Sequence, residues 1–293
     1  MTSQLIKHSL GFWTVAEKPS SDELQRYYAE KYYQQGLGSY DTKYRDEEIA
    51  YFKAKIEQRY HVLNRQFKEQ GRLLDVGCGE GFALAFFRDR GWDVRGLDFS
   101  SAGVMAQNPQ CKEVLRTGDL FSLLNDELAS VQQYDVVWLQ NVLEHVIDPV
   151  GLLESLKRLV TSEGGLVVTV PNDFSVAQRF ALGNGYVADE FWVAIPDHLN
   201  YFDHQSLPAT VDALGWECLE LLGDFPVDWF LFNPHSNYVR DGALGKAAHL
   251  ARVQIENMLH GQPIETLLEF WSAAGRLGVG RDITVFLRPK EAK

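Results

Sequence analysis

Residues 73–81 read Leu-Leu-Asp-Val-Gly-Cys-Gly-Glu-Gly, an apolar run that ends in a carboxylate and passes into three alternating glycines. Glycine lets a backbone turn tightly and approach a ligand with no Cβ in the way. A helix that starts behind such a turn presents free N–H groups. Dinucleotide-binding loops use the spacing G-x-G-x-x-G and rest a pyrophosphate on the helix N-terminus. Here the third glycine comes one residue early, giving Gly77, Gly79 and Gly81. Asp75 precedes the loop by two positions, where it would repel a pyrophosphate. It suits a ligand that carries a positive charge, such as an amino group.

Two further carboxylates follow the same logic. Asp98 closes the next apolar run, where an acidic side chain accepts hydrogen bonds from the two hydroxyls of a ribose. Asp119, in Gly118-Asp119-Leu120, closes the one after and can accept from the exocyclic amine of adenine. Aspartate at a strand end is often only a helix cap. Three at the carboxyl ends of three successive strands mark the edge where open α/β sheets bind ligands.

The elements that must carry these residues are legible from periodicity. Strands are expected over 72–76, 93–97, 113–116, 134–140 and 165–170, each followed by a helical pattern, with further strands over 216–222 and 282–287. Asp148-Pro149 marks a helix start, because aspartate caps and proline suits the first turn. Alternation of this kind implies right-handed βαβ units and a mostly parallel sheet. The core is expected over 71–223 and 277–293. Residues 1–70 form a helical, tyrosine-rich extension, with helical spacing of Ile49, Phe52, Ile56, Tyr60, Leu63 and Phe67. Its stretch 27–44 is dense in tyrosine and a candidate lid. Residues 224–276, with helices near 246–259 and 263–274, are expected as an insertion that joins the extension in a helical cap.

LLDVGCGEG, LDFS, GDL and YDVVWLQNVLEHVIDP together resemble the successive motifs of class I S-adenosylmethionine-dependent methyltransferases. The likeness covers roughly residues 70–223. It is greatest to the group that holds ubiquinone-type O-methyltransferases and bacterial sugar methyltransferases. The resemblance implies a Rossmann-like sheet of seven strands with the last antiparallel, and S-adenosylmethionine as cofactor. It implies that Asp75, Gly77, Gly79 and Gly81 hold the methionine part, Asp98 the ribose, and Asp119 with Leu120 the adenine edge. Phe99 would lie against the adenine ring, and Gln140 near the sulfonium.

A hydroxyl acceptor usually needs a general base, and histidine has a suitable pKa of about 6.5. His145 follows the fourth strand, and His198 lies in the Pro196–Phe202 segment where methyltransferases place acceptor-binding loops; His198 is the first choice. The packing alternatives are a loop histidine that shapes the site at His145, and a helix cap at Asp203 or Ser206 with His198 beneath it. Some relatives carry E-x-x-E-H at this place and bind a divalent metal there. Here Asn141 replaces one carboxylate, so no metal is expected. The aromatic run with Trp229, Phe230, Phe232, His235 and Tyr238 is expected to pack a core, the alternative being a stacking surface for an acceptor.

Composition narrows the partners. There are 40 acidic and 28 basic residues, for a formal charge of −12. That balance repels phosphate backbones, so a nucleic-acid partner is not expected. Cys78, Cys111 and Cys218 form no close pair, which fits a reducing, cytoplasmic compartment. No apolar run is long enough to span a membrane. The expected activity is methyl transfer to a small acceptor, a hydroxyl of a sugar or glycan precursor. A phenolic or quinone-like acceptor, a nicotinamide-dependent oxidoreductase and a non-catalytic protein of the same fold stay open as alternatives.

Overall fold

The computed structural model describes residues 4–20, 23–24, 26–27, 44–67 and 70–290. Two short strands open the chain, β1 (Leu5–Lys7) and β2 (Trp13–Val15). The lid expectation for the tyrosine-rich stretch falls largely outside the described residues; Tyr27 and Tyr44 are within them. Helix α1 (Asp46–Gln66) then begins with Asp46, Glu47 and Glu48 in its first turn, where carboxylates complement the helix dipole. The Glu48 side chain accepts from the backbone N–H of Arg45, 3.1 Å away.

From β3 (Arg72–Val76) strands and helices alternate: α2 (Phe82–Arg88), β4 (Asp93–Asp98), α3 (Ala102–Gln107), β5 (Leu115–Thr117), α4 (Leu120–Ala129), β6 (Tyr134–Gln140), α5 (Pro149–Leu159) and β7 (Val160–Pro171). Helix α6 (Val176–Gly183), strand β8 (Asn200–Tyr201) and helix α7 (Ser206–Ala213) lead to β9 (Trp216–Gly223). Helices α8 (Gly245–His260) and α9 (Ile264–Leu277) precede the last strand, β10 (Asp282–Pro289).

Seven strands form one sheet in the order β5-β4-β3-β6-β7-β10-β9. The strands from β5 to β7 pair in parallel, and β10 runs antiparallel to both β7 and β9. This is the Rossmann-like architecture that the alternation implies. The chain builds outward from β3 to β5, returns to lay β6 on the other side of β3, and continues to β7. The loops after β3 and β6 therefore diverge, and open sheets bind ligands in the crevice such a switch point leaves.

Both faces of the sheet are covered. One buries Leu74, Val137 and Val168 against Leu123, Leu152, Leu156 and Leu207 from α4, α5 and α7. The other buries Leu73, Val136 and Val167 against Leu63, Phe87 and Trp271 from α1, α2 and α9. No helix among the described residues is long and apolar enough to cross a membrane. The three cysteines are free.

Three expectations are corrected. The leader contributes strands as well as a helix: β1 and β2 join β8 in a small sheet of order β1-β2-β8. The third strand starts later, at Leu115, because Pro109–Val114 forms a 3-10 helix. Within 224–276, α9 lies in the core layer through Leu267, Leu268 and Trp271. It is α8 that meets α1, where the His249 ring lies 2.9 Å from Glu48 Oε1 and Asn257 donates to the Glu47 carbonyl at 2.8 Å.

Candidate active site

A cavity of about 1120 Å³ opens at the carboxyl ends of β3 and β6. That exceeds the ~300–1,000 Å³ of an ordinary small-molecule pocket and leaves room for two reactants. The glycine loop forms its floor. Gly77, Gly79 and Gly81 have φ values of 70°, 54° and 72°, a region that side chains rarely adopt. At Gly77 the space is also filled, since a Cβ would lie 2.3 Å from Val142 Cγ2.

Asp75 is 3% exposed, and its carboxylate has no hydrogen-bond partner among the described residues. Burial first, and then the charge of Asp98, push its pKa up to about 8. A buried carboxyl with no partner beside a cavity fits a cationic ligand group. Asp98 ties the next strand to the loop. Its Oδ2 accepts from the Gly79 N–H at 2.8 Å, and its Oδ1 accepts from Ser100 N–H at 3.0 Å. The Phe99 N–H adds a third backbone donor, and a carboxylate's two oxygens still leave acceptor capacity beyond these. Burial raises the pKa of Asp98.

The expected residues divide into two groups. Asp75, Gly77, Gly79, Gln140, His145 and His198 line the cavity together. Gly81, Asp98, Phe99, Asp119 and Leu120 lie outside its lining, the last four along the ends of β4 and β5. Asp119 is exposed and caps α4, accepting from Ser122 N–H at 2.9 Å. The capping alternative is therefore realised there, with acceptor capacity left on the carboxylate.

Beyond β6 the backbone turns through Asn141, a non-glycine residue at φ 53°. Its side chain donates to Glu144 Oε1 at 3.3 Å. Glu144 is 2% exposed, and burial pushes its pKa up to about 8. Its carbonyl accepts from the Leu199 and Asn200 N–H groups at 2.7 and 3.0 Å. That bond pair draws the 196–202 segment against the β6 loop, so His145 and His198 meet with ring centroids 4.8 Å apart. His145 Nδ1 lies 2.7 Å from the Asp197 carbonyl. A carbonyl only accepts, so Nδ1 carries the proton and Nε2 is left as the acceptor. Ligand atoms of Glu144, His145 and His198 lie within 4.8 Å of one another, close enough to hold a cation. Asp203 stands just before α7, and its Oδ1 accepts from the Gln205 and Ser206 N–H groups at 3.0 and 2.7 Å.

Several cavity residues were not foreseen. Arg59 is 5% exposed on the apolar stripe of α1, donates to Gln140 Oε1 at 2.7 Å, and lies over the Trp138 ring. A cation between Ile56 and Leu63 at helical spacing was a readable signal, because arginine is rarely buried without a purpose. Lys55, Arg252, Arg281 and Asp282 also line the cavity. Lys55 pairs with Asp224 at 2.6 Å. The aromatic run at 229–238 lies outside the cavity lining. Phe232 sets its edge against Tyr186 and Phe180, beside buried Leu231, so the run packs only in part, with Trp229 and His235 exposed.

A parallel sheet with an antiparallel β10, a glycine loop after β3 and carboxylates after β3, β4 and β5 define a class I S-adenosylmethionine-dependent methyltransferase. A family model described as a methyltransferase domain matches residues 43–221, more than half of the chain, and the chain belongs to that family. Its cofactor is S-adenosylmethionine. The ubiquinone biosynthesis O-methyltransferase of Saccharophagus degradans is 29% identical over 171 residues, 57% of this chain and 70% of that protein. That of Acinetobacter baylyi is 32% identical over 120 residues, 40% of this chain and 50% of that protein. Among solved structures, the plantazolicin methyltransferase BpumL with SAH matches at TM-score 0.53 and 15% identity, covering 92% of this chain and 96% of its own. The [4+2]-cyclase SpnF matches at TM-score 0.52 and 16% identity, covering 94% and 98%. At such identities the likeness is one of fold, and a fold hosts many chemistries.

Proposed function

We propose that the protein transfers a methyl group to a hydroxyl of a small polar acceptor, a sugar or glycan precursor. The observation that carries this is the histidine pair at the cavity, beside Gln140 and opposite a lining rich in charged side chains. When bound, S-adenosylmethionine supplies a methyl group activated on a sulfonium. Asp75 takes its ammonium group and Arg59 its carboxylate, the two charges of an amino acid. The Asp98 carboxylate takes the ribose hydroxyls, Asp119 with Leu120 and Phe99 the adenine. Positioning two reactants in line supplies much of the acceleration in such a displacement. Helices α1 and α8 both line the cavity.

The acceptor proton goes to an imidazole. His198 takes this role from its place in the acceptor-side segment; His145 is the rival, because the Asp197 carbonyl fixes its Nε2 as acceptor. Removing the base costs about a hundredfold to ten-thousandfold in rate with little change in cofactor affinity. His198→Ala is expected to show this pattern, and His145→Ala to disturb rate and cofactor affinity together. Turnover and calorimetric affinity of both variants are the measurement. Normal turnover in His198→Ala, with loss of rate alone in His145→Ala, reverses the roles.

The names of the relatives favour a second reading, a phenolic or quinone-like hydroxyl. A screen of nucleotide sugars, lipid-linked sugars and catechols for a gain of one methyl by mass separates the two. Methylation of catechols alone would overturn the sugar reading.

A further inference from the structure

The top edge of the sheet has two halves. The residues assigned to the cofactor follow β3, β4, β5 and β6. On the other side of β6 stand the end of β7, the start of antiparallel β10 and the end of β9, roofed by α1 and α8. Tyr51 and Lys55 line this second half from α1, Arg252 from α8, Asp282 from the start of β10 and Arg281 from the residue before it. Its charges are unevenly matched. Lys55 has Asp224 at 2.6 Å, and Arg281 has Asp173 at 3.2 Å. Arg59, nearer the cofactor, has the Gln140 side chain.

Arg252 has no such partner among the described residues. Its Nε is buried without a hydrogen bond, and its guanidinium lies 5.3 Å from the centre of the Tyr51 ring. Glu256 sits one turn further on α8, yet both of its carboxylate oxygens are also buried without a hydrogen bond, so the two do not satisfy each other. Burial pushes the Glu256 carboxyl up toward its neutral form, while surrounding groups hold Arg252 charged. A buried guanidinium whose N–H groups are left without acceptors is costly, so such a group calls for a ligand oxygen. A protein of net charge −12 would otherwise repel anions. Asp224, Asp282 and Glu256 are near enough to act on Arg252 electrostatically, yet no hydrogen bond to them engages its guanidinium among the described residues, so it presents at the cavity wall a planar fork matched to two oxygens of a phosphate or carboxylate.

We infer that Arg252 is the anion-recognition residue of the acceptor half, so that the acceptor carries a phosphate or carboxylate besides its reactive hydroxyl. The word acceptor rests on the methyltransferase reading; the anion site rests on the charges around Arg252 alone. The test titrates inorganic pyrophosphate and, separately, benzoate into the wild type, R252K and R252Q, with and without S-adenosylhomocysteine. At least one anion is expected to bind the wild type, and which one does assigns phosphate or carboxylate. R252Q should bind it roughly tenfold or more weakly, as loss of a charged hydrogen bond implies. R252K should fall between, and S-adenosylhomocysteine affinity should be equal in all three. Peptide mass mapping after phenylglyoxal treatment gives a second readout on the unmodified sequence: the bound anion should protect Arg252. Equal affinity in R252Q, no anion binding at millimolar concentration, or no protection would each overturn the inference. Failure of the wild type to bind S-adenosylhomocysteine would instead sink the methyltransferase reading, and the titration without it still reads the anion site.

Discussion

Asp75 shows how one side chain sets a pH dependence. Its folded pKa of about 8 lies above the ordinary carboxylate value, so the empty protein holds it protonated at neutral pH. The stability this gives is full below the unfolded pKa and is lost as pH rises through about 8. A bound ammonium favours the ionised form, so binding expels a proton below that pH. Calorimetric affinity for S-adenosylhomocysteine is therefore expected to rise by up to about tenfold per pH unit between about 6 and 8. It should level off above about 8, where Asp75 is already ionised in the free protein, and fall where the ligand's amino group loses its own proton. Asp75→Asn should bind more weakly and with a flat profile; an unchanged profile would take Asp75 out of the ligand contact. The neighbouring cluster gives a second expectation. Glu144, His145 and His198 converge, but Asn141 adds no charge where a hard cation favours carboxylate oxygens. Activity is expected to survive EDTA, and loss restored by magnesium would make the three residues ligands. The carboxylates were legible because they end strands beside glycines. Arg252 was not, because nothing in the spacing of α8 says which turn faces a cavity.

At the scale of elements, the loop after β3 depends on α3 as well as on its own glycines. A Cβ on Gly103 would lie 2.5 Å from the Gly79 carbonyl oxygen and 2.9 Å from its carbon. Gly→Ala inside a helix ordinarily gains up to about 1 kcal/mol. Here the obstacle is backbone, which cannot swing aside, and overpacking of this kind costs about 1–3 kcal/mol. Gly103→Ala is expected to lower the melting temperature and S-adenosylhomocysteine affinity together. A stabilised variant with normal affinity would show that α3 moves freely. The strands of the sheet were readable where apolar runs are long, as at 72–76 and 134–140, found at those bounds. The strands β1, β2 and β8 have three, three and two residues, too few for alternation to register. Their pairing is a tertiary event: β2 meets β8 through Trp13 opposite Tyr201, far apart in the chain. The same holds for α9, whose pattern announces a helix but not which layer it joins.

For the whole molecule the question is which ligand this sheet is built to hold, since the same order of strands and the same crevice serve nucleotides of different charge. A dinucleotide brings a pyrophosphate to the glycine loop, and here buried Asp75 stands beside that loop with no ion-pair partner among the described residues. Each pH unit below about 8 relieves this by protonation, yet even a neutral carboxyl offers the pyrophosphate little. S-adenosylhomocysteine brings an ammonium to the same place. A ligand that binds only the folded state stabilises it by RT ln(1 + [L]/Kd), about 2.7 kcal/mol at a hundredfold excess over Kd. For a chain of this size such a gain is expected to raise the melting temperature by several degrees. S-adenosylhomocysteine should therefore shift the melting curve, with a shift that grows as the logarithm of its concentration, while NAD at equal concentration should leave it in place. Because Asp75 supplies the discrimination, Asp75→Asn should shrink the first response and leave the second unchanged. A shift with NAD and none with S-adenosylhomocysteine would mean that the carboxyl beneath the loop is a packing residue, and that the crevice selects its ligand through the ends of β4 and β5 alone.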